Sequence, residues 1–268
     1  MSVNLSPASI SAERRPCVAG LRVNVATLSE AVELAIAKAV EGKGFTFYTL
    51  NLDHIVKLRQ SAVFRSAYRR ATFVSADGWP IVRLANRAAR PEGRKIERTA
   101  GADIVEPLLS AAAERDLPIY LIGPAPEAQA EAIDALRKRL PTLRIVGAEA
   151  PTVEAGDPHF DRLGIARRIQ ASGARLCLVS LGAPKQELLA DALSAHCPSV
   201  GFVCAGAALD FIAERMRRAP EWMRNRGLEW LWRLVCEPLR LGPRYAACAY
   251  ALLLLEFGVA ILPDEEAA

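Results

Sequence analysis

Short apolar segments that alternate with amphipathic segments constrain the fold of this chain most strongly. Residues 45–50, 118–123 and 175–182 are apolar runs of the kind that forms β-strands. Stretches of about 10–15 residues with helical spacing of apolar positions separate such runs, as parallel crossover units require. Several runs are almost continuously apolar, so both faces of the sheet should be covered. The pattern predicts an α/β fold with a Rossmann-like, mostly parallel sheet and helices on both faces.

The same periodicity predicts the individual elements. Thr27 and Ser61 have the position of helix N-caps, and Glu30 follows Thr27 at the spacing of a capping box. Predicted strands are 17–23, 45–50, 72–76, 118–123, 143–147, 175–182 and 200–205. Predicted helices follow Thr27, surround Ile55, follow Ser61 and cover 80–89, 101–115, 127–140, 159–172 and 185–196. The basic residues 90–99 lack apolar periodicity and predict a loop.

Composition divides the chain into a flexible leader (1–16), an α/β catalytic domain (17–212) and a helical appendage with an apolar tail (213–268). Residues 215–244 hold eight arginines against three glutamates, a local net charge of +5, and three of the four tryptophans. The apolar tail 245–262 is 18 residues long and contains Glu256, which favours attachment at a membrane surface over a transmembrane span. The alternative is a helical hairpin packed on the α/β domain, with solvated arginines.

Composition also excludes several classes of protein. With 51% hydrophobic and 24% charged residues the chain is globular, and a net charge of +4 gives no indication of nucleic-acid binding. The six cysteines form no Cys-x-x-Cys pair and are interpreted as buried hydrophobes of a reducing compartment. No signal-peptide core is present at the N-terminus, so we expect a cytoplasmic protein. The three histidines have no metal-ligand spacing, and Asp-x-Asp is absent, so neither a metal nor a cofactor is expected.

A single carboxylate, Asp77, ends the predicted strand 72–76 and is followed by Gly78, which permits a sharp turn. In open α/β sheets, ligands bind beyond the carboxyl ends of the strands. Asp77 is therefore well placed to act as a base. The alternative is that Asp77 caps the helix that begins near Trp79.

Other strand ends carry groups suited to a shared crevice. At the turn 182–187, a helix begins after a glycine, and its free N–H groups together with Lys185 suit a diphosphate. A similar glycine turn occurs at 206–210, and the basic loop contributes two charged residues. The candidates besides Asp77 are Thr49, Asn51, Arg98, Asp103, Gly182, Lys185, Gln186, Gly206 and Asp210.

In order and spacing, these motifs resemble those of the WecG/TagA/CpsF family of bacterial glycosyltransferases (glycosyltransferase family 26), from about residue 17 to 245. The matching motifs of the α/β part are Thr49-x-Asn51-x-Asp53-His54, Ala76-Asp77-Gly78, Arg98-x-x-Gly101-x-Asp103, Gly182-x-Pro184-x-Gln186-Glu187 and Gly206-x-x-x-Asp210. Those of the appendage are Arg218-Ala219-Pro220-x-Trp222, Gly227-Leu228-Glu229-Trp230, Arg233-Leu234, Glu237-Pro238 and Arg240-Leu241.

The resemblance implies an inverting, metal-independent enzyme of cell-surface polysaccharide synthesis. It would move a sugar from a UDP-sugar to a polyprenyl-diphosphate-linked saccharide at the inner face of the cytoplasmic membrane. N-acetylmannosamine, its uronic acid and glucose all remain open as the sugar, and the apolar helices are compatible with a homo-oligomer.

By the same resemblance, Asp77 is the general base toward the acceptor hydroxyl, and Thr49 and Asn51 line its pocket. Gln186 lies near the donor, and Arg98 and Asp103 are further pocket residues. The arginines expected to stabilise the UDP leaving group are Arg233, Arg240 and Arg244, and Pro243 stands where a second basic residue beside Arg244 is expected.

Two alternatives of other classes remain. A protein of this fold can be a non-catalytic nucleotide-binding or membrane-scaffold protein, because fold does not dictate function. An oxidoreductase is disfavoured, since no Gly-x-Gly-x-x-Gly follows a strand.

Overall fold

The computed structural model describes residues 16–89, 94–152 and 161–263. The predicted leader up to residue 15, the start of the basic loop (90–93), the start of the predicted helix 159–172 and the tail from 264 onward lie outside the described residues.

The described residues form eight strands and twelve helices. The strands are β1 (Cys17–Val18), β2 (Leu21–Arg22), β3 (Phe45–Leu50), β4 (Phe73–Ala76), β5 (Ile119–Ile122), β6 (Ile145–Glu149), β7 (Leu176–Val179) and β8 (Gly201–Cys204). The helices are α1 (Leu28–Val40), α2 (Leu52–Gln60), α3 (Ala62–Arg70), α4 (Trp79–Ala88), α5 (Gly101–Glu114), α6 (Pro126–Arg139), α7 (Arg162–Ala171), α8 (Lys185–Ser194), α9 (Ala208–Ile212), α10 (Glu221–Asn225), α11 (Glu229–Cys236) and α12 (Pro238–Glu256).

Six strands form one sheet in the order β4-β3-β8-β7-β5-β6, and all of its strand pairs are parallel. The predicted parallel sheet is therefore confirmed. The prediction of a single strand at 17–23 is wrong: this segment forms the antiparallel hairpin β1–β2. The reason is the turn at Ala19 and Gly20, whose φ angles of 51° and 76° reverse the chain.

Helices cover both faces of the sheet, as predicted, because successive strand residues point to opposite sides. From β3, Tyr48 and Leu50 enter a hydrophobic core that also contains residues of α2, α3, α4, α7 and α8. Phe45 and Phe47 enter a second core with residues of α1, α5, α6 and α9. The predicted caps are also confirmed: the Thr27 hydroxyl accepts the N–H of Glu30, and the Ser61 hydroxyl accepts that of Phe64.

The carboxyl ends of all six strands meet at one edge of the sheet, because the strands are parallel. Asp77 follows β4, Asn51 follows β3, and Gly206 and Gly182 come soon after β8 and β7. Since these four strands are consecutive neighbours, the sheet brings most of the predicted strand-end residues to one half of this edge.

The appendage consists of α10, α11 and α12, and α12 packs against α2. Leu241, Cys248 and Ala251 of α12 are buried, and Glu256 pairs with Arg87 of α4 at 2.9 Å. A long helix is thus present where an apolar tail was predicted, and it docks on the α/β part. The arginines are not simply solvated, as the packed-hairpin alternative expected, since Arg244 pairs with the buried Asp53. Within the described residues, none of the helices has both the length and the apolar character that crossing a bilayer requires. The domain boundary at residue 212 stays a prediction.

The cysteines are not all buried. Cys177, Cys197, Cys204 and Cys248 are buried small residues, as interpreted from the sequence, but Cys17 and Cys236 are exposed. Cys17 precedes the buried Val18 in β1 and points to the opposite side, away from the core, and Cys236 ends α11, a helix with no buried residue.

Candidate active site

Asp77 lies at the turn between β4 and α4. Its N–H donates to the carbonyl oxygen of Leu50 at 2.8 Å, which ties the turn to the end of β3. Gly78 has a φ of 93°, a conformation that favours glycine, and occupies the N-cap position of α4. No side chain makes a capping hydrogen bond there. The capping interpretation of Asp77 is therefore wrong, and its carboxylate is directed elsewhere.

The Asp77 carboxylate lies between an amide and a guanidinium. Asn51 Nδ2 donates to Asp77 Oδ2 at 3.4 Å, and an Arg98 terminal nitrogen lies 3.9 Å from Asp77 Oδ1. The side-chain oxygen Oδ1 of Asn51 accepts the N–H of His54 and caps α2, so the Nδ2 amide group of the same side chain is held toward Asp77. Burial raises the pKa of Asp77 from 3.8 to about 6, although Arg98 and Asn51 oppose the rise. A carboxylate of this pKa is ionised at neutral pH and is a stronger base than an ordinary aspartate.

Thr49 lies two residues before Asn51 on β3 and is buried, with Ser75 of β4 as its neighbour. Its carbonyl oxygen accepts the hydroxyl of Tyr68 at 2.8 Å, and this hydroxyl also lies 2.6 Å from His54 Nδ1. Burial lowers the pKa of His54 to about 4, so the imidazole is neutral near pH 7. His54 therefore contacts the Tyr68 hydroxyl beneath Thr49 and adds no positive charge near Asp77.

A group of arginines surrounds Asp103; we call Arg98, Asp103, Arg218 and Arg224 the Asp103 cluster. Asp103 Oδ2 accepts from Arg98 at 2.6 Å, and Asp103 Oδ1 accepts from Arg218. Arg224 approaches the same oxygen to 3.9 Å. Arg98 is held beside β4 because the N–H of Thr99 donates to the carbonyl oxygen of Ala76 at 2.8 Å. The predicted candidates Arg98 and Asp103 thus lie next to Asp77, together with two arginines of the appendage.

Arg218 and Arg224 lie in the candidate site through their contacts with Asp103, and the sequence did not identify them as candidates. Arg218 stands in the motif Arg218-Ala219-Pro220, which carries the family resemblance, and this motif was the signal that could have identified it. Arg224 has no such signal, because its position depends on how α10 packs.

Gln186 lies beneath the glycine turns. Its Oε1 accepts the N–H of Gly206 at 3.0 Å, and its Nε2 donates to Glu187 Oε1 at 2.8 Å. Gln186 therefore joins the turns after β7 and β8. Gly182 and Gly206 have φ angles of 71° and 60°, and a Cβ on either would meet no atom within 4 Å, so both turns border open space.

The remaining strand-end candidates lie at these turns. Lys185 is exposed at the first residue of α8, and Asp210 is half-buried on α9, where burial raises the pKa of its carboxyl. Beneath them, Glu187 is fully buried and burial raises its pKa to about 7. Its Oε2 has no hydrogen-bond partner among the described residues.

Of the three predicted leaving-group arginines, the structure brings Arg244 to this edge of the sheet. Arg244 pairs with Asp53 Oδ2 at 2.7 Å, and Lys57 pairs with the same oxygen at 2.6 Å. Lys57 also donates to the carbonyl oxygen of Ala183 in the turn after β7, at 2.9 Å. Arg240 instead pairs with Glu237 one turn away on the surface. Arg233 lies on α11 and makes no ion pair with any residue that the structure describes.

Throughout the described ranges, this edge of the sheet included, no three His, Cys, Asp or Glu side chains are grouped in a way that could hold a metal ion. The arrangement thus places the Asp77 carboxylate, which could act as a base, and several guanidinium groups at one edge of the sheet. In a comparison with known protein families, the model described as "Glycosyl transferase WecG/TagA/CpsF family" matches residues 16–261. The match spans both the sheet and the appendage.

Proposed function

The chain belongs to the WecG/TagA/CpsF glycosyltransferase family, as its motifs predict, and from this premise we propose that it transfers a sugar from a UDP-sugar to a polyprenyl-diphosphate-linked saccharide. The sugar is N-acetylmannosamine, its uronic acid or glucose. The reaction is inverting and metal-independent, and it belongs to the synthesis of a cell-surface polysaccharide.

One observation carries the proposal: Asp77 is a half-buried carboxylate of raised pKa that does not cap α4. In a direct displacement, Asp77 takes the proton of the acceptor hydroxyl while the hydroxyl oxygen attacks the anomeric carbon. The bond from that carbon to the diphosphate oxygen breaks, and UDP leaves with the electron pair. Asp77 ends as a carboxylic acid. One attack from the face opposite the leaving group inverts the anomeric centre, and no second carboxylate is needed as a nucleophile.

The leaving diphosphate needs positive charge as the bond breaks. The Asp103 cluster supports this requirement, because guanidinium groups bind phosphate through paired hydrogen bonds. Arg244 lies at the same edge of the sheet, beside the turn that opens α8. We propose that these arginines take the role that a divalent cation has in other nucleotide-sugar transferases.

The surface of the appendage supports action at a membrane. Among the described residues, nine of the thirteen exposed large hydrophobic side chains belong to it, and Leu239 and Phe257 are 94% and 81% exposed. The full set is Trp222, Trp230, Leu231, Val235, Leu239, Tyr250, Leu253, Phe257 and Val259. Apolar side chains beside an excess of arginine suit an anionic bilayer. We propose that the appendage attaches the enzyme to the inner face of the cytoplasmic membrane, where the lipid-linked acceptor is found.

The test is release of UDP from a panel of UDP-sugars in the presence of a polyprenyl-diphosphate-linked saccharide. We expect acceptor-dependent release with one sugar of the panel, and loss of at least about 100-fold in kcat with Asp77→Asn, since general bases contribute about 10²–10⁴-fold. The Asp77→Asn variant should still bind UDP. UDP binding by the wild-type protein without turnover of any donor would favour the non-catalytic alternative.

A further inference from the structure

Trp79 is an exposed aromatic side chain next to the candidate base. It is the first residue of α4, two positions after Asp77, and 46% of its surface is exposed. Ile81 and Val82, which follow on the same helix, are buried in the core. A single exposed apolar side chain is ordinary in itself. What distinguishes Trp79 is the way in which the appendage holds it.

The turn between α10 and α11 packs on the Trp79 indole. Gly227 in this turn has a φ of 73°, and a Cβ there would clash with Cγ, Cδ1 and Nε1 of Trp79. The turn is itself fixed, because the N–H of Gly227 donates to the carbonyl oxygen of Arg224 at 3.0 Å. The three contacted atoms belong to the five-membered ring of the indole. One end of the indole is therefore held, while about half of the residue surface stays open beside the base.

Glu229, two residues after Gly227, brings a carboxylate to the same place. Its side chain is 25% exposed, and its Oε1 lies 3.9 Å from Arg218 Nε, at the outer limit of an ion pair. The carboxylate makes no hydrogen bond with any residue that the structure describes. Its charge also adds to the rise in the pKa of Asp77, so the two carboxylates lie within electrostatic range of each other. Glu229 therefore has free acceptor capacity close to the base.

An aromatic face beside an unfilled carboxylate selects a class of ligand. A carboxylate repels phosphate groups, but its two oxygens accept hydrogen bonds from hydroxyl groups. An indole presents a flat apolar face. A pyranose ring is complementary to both, because it has hydroxyl groups around its rim and C–H groups on its faces. The pair Trp79 and Glu229 therefore suits a sugar ring and not a diphosphate.

We propose that Trp79 and Glu229 form the subsite for the saccharide ring of the acceptor, with Trp79 stacked on a C–H face and Glu229 accepting from a hydroxyl that does not react. This inference rests on the proposed function and adds to it two residues that select the acceptor. In the direct displacement, the attacking hydroxyl contacts Asp77 and approaches from the side opposite the leaving diphosphate. The ring that carries this hydroxyl lies against the residues that flank Asp77. Trp79 is the exposed side chain among them.

The first experiment measures rates of UDP release with donor and acceptor varied separately. The acceptors are glucose, galactose and N-acetylglucosamine, each linked to a short-chain polyprenyl diphosphate. Trp79→Leu should raise the KM of the acceptor about tenfold, because a stacked ring loses its aromatic contact and buried area, and should leave the KM of the donor unchanged. Trp79→Phe keeps an aromatic ring, so its acceptor KM should stay within about threefold of wild type.

A second pair of variants tests the carboxylate. Glu229→Gln should raise the KM of the acceptor about tenfold, for a weakened charged hydrogen bond. Glu221→Gln, which changes an exposed glutamate of α10, is the matched control and should alter neither KM. Trp79→Leu removes part of the contact with Gly227, so the rate of tryptic cleavage in the arginine-rich segment 215–226 is compared with that of wild type. If faster cleavage shows that the appendage has undocked, Glu229→Gln decides the proposal, because it leaves this contact intact.

A third measurement does not depend on turnover. Saturation-transfer NMR records binding of the methyl glycosides of the same three sugars to the protein with UDP present. We expect signals from ring C–H protons of at least one glycoside with wild type, and their loss in Trp79→Leu. Trp222→Leu removes an exposed tryptophan of α10 and should bind the glycoside as wild type does.

The outcomes separate this proposal from the proposed function. An unchanged acceptor KM in a docked Trp79→Leu overturns the subsite, even if the wild type transfers sugar. A raised donor KM with an unchanged acceptor KM also overturns it, because the ring on Trp79 would then be that of the donor. Glycoside binding that depends on Trp79, without turnover of any UDP-sugar, supports the subsite and contradicts the proposed transferase. Absence of both turnover and glycoside binding contradicts both proposals.

Discussion

Ionisation of Asp77 links the chemistry of the site to the stability of the fold. Burial raises the pKa of its carboxyl from 3.8 to about 6, so the folded protein binds this proton more tightly than the unfolded chain. The associated stabilisation is fully present below pH 3.8 and is lost as the pH rises through about 6. Its full size is about 3 kcal/mol, from 1.36 kcal/mol for each pH unit between the two pKa values. Between pH 8 and pH 5, linkage predicts a gain of about 1.4 kcal/mol for wild type.

The assay is urea unfolding of wild type and Asp77→Asn at pH 8 and pH 5. Asparagine does not titrate, so the free energy of unfolding of wild type relative to that of Asp77→Asn should rise by about 1.4 kcal/mol from pH 8 to pH 5. Asp134→Asn, which removes an exposed carboxylate from α6, controls for loss of a charge. Equal pH dependence in Asp77→Asn and Asp134→Asn would refute the reasoning. The same ionisation predicts that kcat/KM falls about tenfold from pH 7 to pH 5, because the base must be unprotonated.

The appendage gives two further predictions. Replacing Val235 and Leu239 together by glutamine should weaken binding to phosphatidylglycerol vesicles about tenfold or more, because each side chain contributes about 1.5–3 kcal/mol when buried. Val63 on α3 is similarly exposed, and the control Val63→Gln should bind the vesicles as wild type does. Equal binding by wild type, the double variant and Val63→Gln would contradict the proposed attachment. Arg244→Gln should lower the free energy of unfolding by about 1–3 kcal/mol, since it removes a hydrogen bond to a buried carboxylate on α2. Arg240→Gln breaks only a surface pair, so its free energy of unfolding should stay within about 1 kcal/mol of wild type. Equal losses of unfolding free energy in the two variants would contradict the contact between Arg244 and Asp53.

Much of the fold could be predicted from local patterns. Alternating apolar runs and helical periodicity depend on neighbouring residues, and so do the caps at Thr27 and Ser61. The proximity of Asn51 and Asp77 was also predictable in outline. Each follows a strand of a parallel sheet, and the register that pairs Leu50 with Ala76 brings the next residues together.

The role of several side chains could not be predicted, because it depends on contacts between distant parts of the chain. Arg244 and its partner Asp53 are 191 residues apart, and Arg218 and Asp103 are 115 apart. Composition indicated that the appendage is rich in arginine but gave no information about which arginines its docking would bring inward. Gln186 shows the same limit. The motif indicates a residue near the glycine turns, but it does not indicate that the Gln186 side-chain oxygen accepts the N–H of Gly206 from beneath the turn.

The arrangement around Asp103 has a consequence for the empty enzyme. Three guanidinium groups this close repel one another, and the carboxylates of Asp103, Asp77 and Glu229 offset that repulsion. Asp103 is the one carboxylate among these that contacts all three arginines, so it acts as their common counter-ion when no ligand is bound. In the proposed mechanism, an arriving diphosphate therefore meets groups that are already in place, and little ordering cost remains at the moment of binding. In the same mechanism, the Asp103 carboxylate would compete with the product UDP for the arginines and so favour its release.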